Sequence, residues 1–435
     1  MKFRSVIEQV DGLARHSLPD LPFEQSVIHK KILQIGAILA DKNDPLQWLR
    51  DHNAVDRIEK WIDDHPKAAG AIREIISDIR DDLPWCHDDG LSFDYESVTA
   101  SEVILTGVRA SGWFNDDVVV TGSAVSDSVT GAALYEGSLA DLASASSDEW
   151  HILTPDFEGQ TVSSATFYGP NTAIFDPDLG VGNIRAVGSY KYAEADAPNA
   201  DHGMIYEGPV EGGGTGTQID ATDLVAPGDT LINTIAHSNM GDLVVGNYDT
   251  RLATGHAFIY NIEEDTWVDL NPADSLSVTA YGIWQNGGPE STSYTIAGGY
   301  SDLDSLGLDA GYLLDYDSKT NTITNFTTFQ YDGQPLKSLI SHFDGITGTK
   351  DGYHLTGDFV DVDGPGAFFA EVERKPDGSF SDARWSEIAF PGDDVTATSG
   401  NTVVDDTVLG VYVEDSAVTS FVATANPSHG WDLLG

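Results

Sequence analysis

The sequence predicts an all-β six-bladed β-propeller with an N-terminal all-α helical domain. Three observations predict it. Charge changes near residue 90: residues 1–90 hold 12 Lys/Arg against 17 Asp/Glu, whereas residues 91–435 hold 10 against 53. Apolar residues recur at helical spacing before that point and fall in short strand-like runs after it. In the second segment a strand ending in glycine returns six times. The boundaries that follow are a helical bundle or cap over 1–88, a propeller over 89–430 and a tail over 431–435.

In the first segment, Val6, Val10 and Leu13 share one helix face, and Val27, Ile28, Ile32, Ile35, Ile38 and Leu39 keep similar spacing. Asp44-Pro45 combines an N-cap with a proline at the first helical position, a start signal. Trp48, Ile58, Trp61 and Ile62 continue an apolar face, and a last helix stops at Pro84. His16, His29, His52 and His65 lack the H-x-x-x-H spacing of a metal-binding helix.

The repeated strand ends at Gly122, Gly188, Gly246, Gly298, Gly357 and Gly410. A polar turn and a second strand follow, with Gly131, His202, His256, Ala310, Gly366 and Thr419 sharing a column. Histidine in that column is expected to bond a neighbouring strand or loop. Several copies open a third strand with tryptophan, at Trp150, Trp267 and Trp385. Four short strands in roughly 55 residues is the arithmetic of a propeller blade. Such a sheet cannot bury both faces alone, and packing blades around an axis does so. The sixth copy lacks an outer strand, and residues 91–98, LSFDYESV, alternate like one. They are expected to complete the last blade and close the ring.

The copy IAHSNMGDLVVGNYDTRLATGHAFIYN (235–261) and the closing GNTVVDDTVLGVYVEDSAVTSFVATA (400–425) resemble the HAF-type repeats of bacterial extracellular proteins. The resemblance spans most of 160–425 and leaves out the N-terminal helices. It implies a propeller-like, often exported protein and no particular reaction.

First strands of blades line the axis, so the residues near their ends are candidates for a site. That column reads Ser111, Tyr168, His237, Trp284, Phe343 and Ser399, with His342 adjacent. Around one channel mouth, His237 would serve as general base, Tyr168 as acid, and Trp284 and Phe343 as stacking walls for a sugar or other ring. The same aromatics would also suit a packed channel. Acids crowd the turns between second and third strands: Asp302, Asp304 and Asp309 in one copy, and Asp358, Asp361 and Asp363 in another. Carboxylates on glycine-containing turns suit calcium, although neither loop fits the EF-hand pattern. No G-x-S-x-G, H-E-x-x-H or Walker motif occurs.

A net charge of −48 excludes ordinary nucleic-acid binding and disfavours docking to an anionic membrane. The single cysteine, Cys86, excludes an internal disulfide framework. No apolar run reaches a membrane span, and the charged start lacks the apolar stretch of a cleaved signal. The acidic, Gly/Asp-rich composition suggests export without a cleaved signal, with the cytoplasm of a halophile as the alternative. Two functions stay open. One is an extracellular binding module for carbohydrate, matrix or protein, with the helices assembling or anchoring it. The other is a propeller enzyme, a hydrolase, lyase or isomerase, acting on a saccharide or small cyclic substrate around His237.

Overall fold

The computed structural model describes residues 91–426, apart from 101, 113–114, 127–128, 155–156, 158–160, 194–199, 253–254, 273–274, 303–308, 332–337 and 362–363. The helical domain expected over 1–88 and the tail over 431–435 lie outside the described residues. The described residues form a β-propeller of antiparallel meanders. No helix among them is long and apolar enough to cross a membrane.

The chain enters with β1 (Ser92–Ser97). The first meander is β2 (Val103–Ala110), β3 (Asp117–Ser126), β4 (Val129–Ser138) and β5 (His151–Leu153). The second is β6 (Val162–Thr172), β7 (Ile184–Tyr192), β8 (His202–Gly208) and β9 (Thr215–Ile219). These two join as one eight-stranded sheet through a single parallel bridge, Thr130 to Ser164. A four-stranded sheet follows from β10 (Leu231–Met240), β11 (Leu243–Thr250), β12 (His256–Asn261) and β13 (Thr266–Asp269). The next holds β14 (Ser275–Gln285), β15 (Ser293–Asp302), β16 (Ala310–Asp317) and β17 (Thr322–Phe329). Then come β18 (Ile340–Gly348), β19 (Gly352–Val360), β20 (Pro365–Glu373) and β21 (Arg384–Ile388). In the last sheet β22 (Val395–Val404), β23 (Thr407–Glu414) and β24 (Ala417–Asn426) pair in order, and β1 is the fourth strand. It runs antiparallel to β24 from Ser92 opposite Asn426 to Ser97 opposite Phe421.

The first strands β2, β6, β10, β14, β18 and β22 pack each on the next, and β22 packs on β2, so they surround an axis. The core lies between sheets, where Phe258, Tyr312, Phe343, Phe368, Phe369 and Phe421 are fully buried. Phe93 and Tyr95 of β1 pack on Phe369, Phe390 and Phe421, and the Tyr95 hydroxyl accepts the Ala389 N–H at 3.1 Å. In the second-strand column, His202 and His256 lie opposite Tyr190 and Tyr248 and stack on them. His202 Nδ1 also meets Asp220 Oδ2 at 2.9 Å, and His256 Nδ1 meets the Asn271 amide at 2.9 Å. Both imidazoles act as packing and hydrogen-bonding groups.

The six repeated glycines have a common steric cause. Each lies opposite the last regular residue before a β-bulge in the first strand: Leu105, Phe167, Ala236, Ala280, Phe343 and Gly400. A β-carbon on the glycine would overlap the carbonyl oxygen of Ile104, Thr166, Ile235, Thr279, His342 or Ser399 in turn. The bulge bends the first strand onto the second, and only glycine leaves the space. Gly298→Ala is therefore expected to lower the unfolding free energy by about 1–3 kcal/mol, although alanine costs less backbone entropy. Urea unfolding measures it, and an unchanged midpoint would show that the strands separate freely.

Candidate functional site

Each bulge inserts one extra residue, and that residue turns toward the axis. Among the described residues the six are Thr106, Tyr168, His237, Tyr281, Asp344 and Asn401. Each is half-buried between two buried neighbours, and all six line one cavity of about 240 Å³. The residue after each is small: Gly107, Gly169, Ser238, Gly282, Gly345 or Thr402. Added β-carbons at Gly107, Gly169 and Gly345 would meet the backbone of the next first strand at Tyr168, His237 and Thr402. The same dipeptide thus aims a side chain inward and lets neighbouring strands approach.

The ring has an aromatic side and a charged side. His237 sits between Tyr168 and Tyr281, with centroids 5.1 and 4.6 Å away, and Tyr281 approaches His342 at 5.7 Å. The neutral His237 ring donates from Nε2 to Asn247 Oδ1 at 2.5 Å. Burial lowers its pKa to about 4, outweighing the opposing Asn247 contact. Burial thus gives the cavity a neutral imidazole face at His237. Burial raises the phenols of Tyr168 and Tyr281, the latter to about 12, so both stay protonated donors. Thr106 Oγ1 donates to Phe167 O at 2.5 Å and Asn401 Nδ2 to Leu105 O at 2.6 Å, tying adjacent first strands together.

On the charged side, His342 Nδ1 lies 3.0 Å from Asp344 Oδ1. Asp358, on β19, accepts from Ser399 Oγ at 2.8 Å and from the Gly400 N–H at 3.0 Å. One donor atom from each of His342, Asp344 and Asp358 lies within 4.8 Å of the others, so these three could hold a cation. The Asp344 charge is the main cause that raises His342 to about 9. Burial first, then the neighbouring Asp344 charge, pushes Asp358 up to about 7. Near neutrality the cluster therefore holds an imidazolium–carboxylate pair beside a carboxyl that exchanges its proton. His342, Asp358 and Ser399 line a second cavity of about 510 Å³, while Asp344 faces the axial one and Tyr281 belongs to both.

The structure brings Tyr168 and His237 to the axial cavity and His342, Ser399, Asp309 and Asp358 to the larger one. It withdraws others. Phe343 is fully buried against Phe368, Phe329 and Trp385, because it precedes the bulge and points into its own sheet's core. Trp284 lies three residues beyond Tyr281 and packs on Phe175 and the Arg109 guanidinium. Ser111 buries its hydroxyl outside both cavities. Asp302 accepts from the Tyr300 hydroxyl and Asp361 from the Gly364 N–H, and neither lines either of these two cavities. Asp304 and Asp363 lie outside the described residues. Missed from sequence were Thr106, Arg109, Tyr281, Asp344 and Asn401. The available signal was a large or polar residue followed by glycine in Thr106-Gly107, Tyr168-Gly169, Tyr281-Gly282 and Asp344-Gly345.

No family model and no curated protein matches this chain, so the HAF-type resemblance has no family match behind it. Solved structures do match. Trypanosoma rangeli sialidase in complex with 2,3-difluorosialic acid aligns at TM-score 0.42 and 8% identity, over 77% of this chain and 56% of that one. The chain thus spans little more than half of the sialidase. A GH130 structure, from a family described as mannoside phosphorylases containing glycoside hydrolases that target β-1,2 mannosidic linkages in Candida mannan, aligns at TM-score 0.34 and 12% identity, over 79% and 98%. Bombyx mori GH32 β-fructofuranosidase aligns at TM-score 0.34 and 10% identity, over 84% and 70%. At such values the chemistry has to be argued from the side chains.

The raised Asp358 pKa has a consequence for stability. Its folded value, about 7, exceeds the ordinary 3.8, so its contribution is complete below about pH 4 and is lost as pH rises through 7. Asp358→Asn is expected to gain in melting temperature relative to wild type between pH 4 and 8. A difference constant across that range would contradict the shift.

Proposed function

We propose that this chain is a six-bladed propeller enzyme that hydrolyses a glycosidic bond in its axial site. The six blades are the four separate sheets and the two halves of the eight-stranded sheet, with β1 and β24 closing the last. The observation that carries the reading is the His342–Asp344–Asp358 cluster, set in a wall between two cavities beside an aromatic belt. A module that only binds has no need of a carboxyl held near pH 7, so the enzyme takes precedence over the binding module.

In this reading a sugar ring occupies the axial cavity with its C–H faces on Tyr168, His237 and Tyr281. Asp358 donates its proton to the glycosidic oxygen, and the leaving group departs through the larger cavity. Asp344, paired with His342, faces the positive charge that develops at the anomeric carbon. Carboxylate oxygens within 4.8 Å leave little room for an attacking water between them. That separation favours retention, with Asp344 as nucleophile and Asp358 then acting as base toward water.

The proximity of three donors favours a second reading, in which the cluster holds a divalent cation. An imidazole with two carboxylates suits zinc or manganese better than the calcium expected from the turns. Extracellular location remains a proposal resting on the acid excess and single cysteine.

Turnover of a panel of nitrophenyl glycosides, with and without EDTA, tests the reading. Wild type is expected to release nitrophenol at a rate that falls as pH rises past 7. Asp344→Asn and Asp358→Asn should each lower kcat/KM by about 10²–10⁴-fold. No turnover of any glycoside would return the binding module to first place. Loss in EDTA with recovery on one added metal would assign the cluster to a cation.

A further inference from the structure

Among the described residues, Arg185, Arg374 and Arg109 carry guanidinium groups withdrawn from solvent, and the first two are neutralised. Arg185 meets Asp176 at 2.8 Å and Glu207 at 2.6 Å, and Arg374 pairs with Asp315. Arg109, only 5% exposed, has no carboxylate among the described residues within salt-bridge distance. Its Nη1 donates to Ile346 O at 3.4 Å, and its Nη2 to Ile283 O at 3.3 Å and Ser238 Oγ at 3.4 Å. All three acceptors are neutral and all three bonds are long. Its Nε has no partner.

The acceptors lie one or two residues past the bulges of β10, β14 and β18. Arg109 therefore reaches from β2 across the channel just beyond the ring of six bulged side chains, and it lines the same axial cavity. Asp344 lines that cavity too, but its carboxylate is engaged by His342. A buried charge without a counter-charge is costly, and a neutral amide could bridge these strands without that penalty. In a chain with 70 acidic and 22 basic residues, an unpaired cation facing a cavity calls for a ligand. A guanidinium fork is suited to a planar or tetrahedral oxyanion.

We propose that Arg109 binds an oxyanion in the axial cavity, and that the sugar held there is acidic, bearing a carboxylate or sulfate. The oxyanion site stands on Arg109 alone, while the acidic sugar rests on the glycosidase reading. The chain's overall negative field repels anions, so an acidic sugar needs a local cation such as Arg109 to be held in this cavity.

Isothermal titration of the full chain at low ionic strength with glucuronate, glucose and inorganic sulfate tests this. Glucuronate is expected to bind about tenfold or more tighter than glucose, and sulfate to compete with it. Arg109→Gln, its fold checked by circular dichroism, should lose that discrimination and the sulfate response. Arg109→Lys keeps the charge without the fork; it should retain sulfate binding and lose part of the preference for glucuronate. Sulfate binding lost in Arg109→Gln, with no sugar bound by wild type, would uphold the oxyanion site and overturn the acidic sugar. Equal binding of glucose and glucuronate with no sulfate response would overturn the Arg109 site and leave the glycosidase reading standing. Anion binding unchanged in Arg109→Gln would place the anion elsewhere and overturn the proposal. If both variants fail to fold, wild type decides: no response to any anion overturns it.

Discussion

The close approach of a bulged first strand to a second-strand glycine governs the rest of this structure. The bulge spends one residue without a ladder partner, and that residue can only turn toward the axis. The contact forbids a β-carbon at Gly122, Gly188, Gly246, Gly298, Gly357 and Gly410. Around the ring, one backbone device therefore sets both the repeat and the site. Variation enters through the bulged residue itself: a threonine, two tyrosines, a histidine, an aspartate and an asparagine. The scaffold holds position while the chemistry changes from blade to blade, which is how one architecture serves many sites.

Electrostatics divide the molecule in a related way. Three of the acids, Asp265, Asp405 and Asp415, sit in turns at positive φ of 49°, 50° and 50°. Aspartate tolerates that conformation better than most residues, so those acids have a local structural cause. The interior charges near the axis are few and differ in kind. Asp344 and His342 compensate each other, Asp358 is driven toward its neutral form, and Arg109 has no carboxylate within salt-bridge distance among the described residues. A neutral His237 and two protonated tyrosines separate these charges with aromatic surface.

The propeller was legible because sterics and burial leave periodic marks. The glycine column marks the close approach, and the second-strand column aligns through ladder pairs such as Tyr190 with His202 and Tyr248 with His256. The axial column was legible only at Tyr168 and His237. Counting along a strand assumes strict alternation, and a bulge breaks it by one residue. Phe343 stood beside the true position, Asp344, and aromatic weight favoured the wrong neighbour. In the last blade the count reached Ser399 rather than Asn401, and in the fourth it reached Trp284 rather than Tyr281. Ser399 still contributes, as the hydroxyl that bonds Asp358. The pairing of Asp358 with His342 and Asp344 joins residues from two strands, and single-strand patterns do not show it. Arg109 was missed because an isolated basic residue in a strand carries no motif.

The most direct test of the central claim is a crystal structure of the chain with a hydrolysis-resistant thioglycoside of a sugar that it binds. The sugar ring should lie inside the circle of Thr106, Tyr168, His237, Tyr281, Asp344 and Asn401, with its anomeric carbon facing Asp344 and its sulfur toward Asp358. A sugar bound on the outer strands or surface turns, with none in the axial cavity, would contradict the claim that the six bulges build the site.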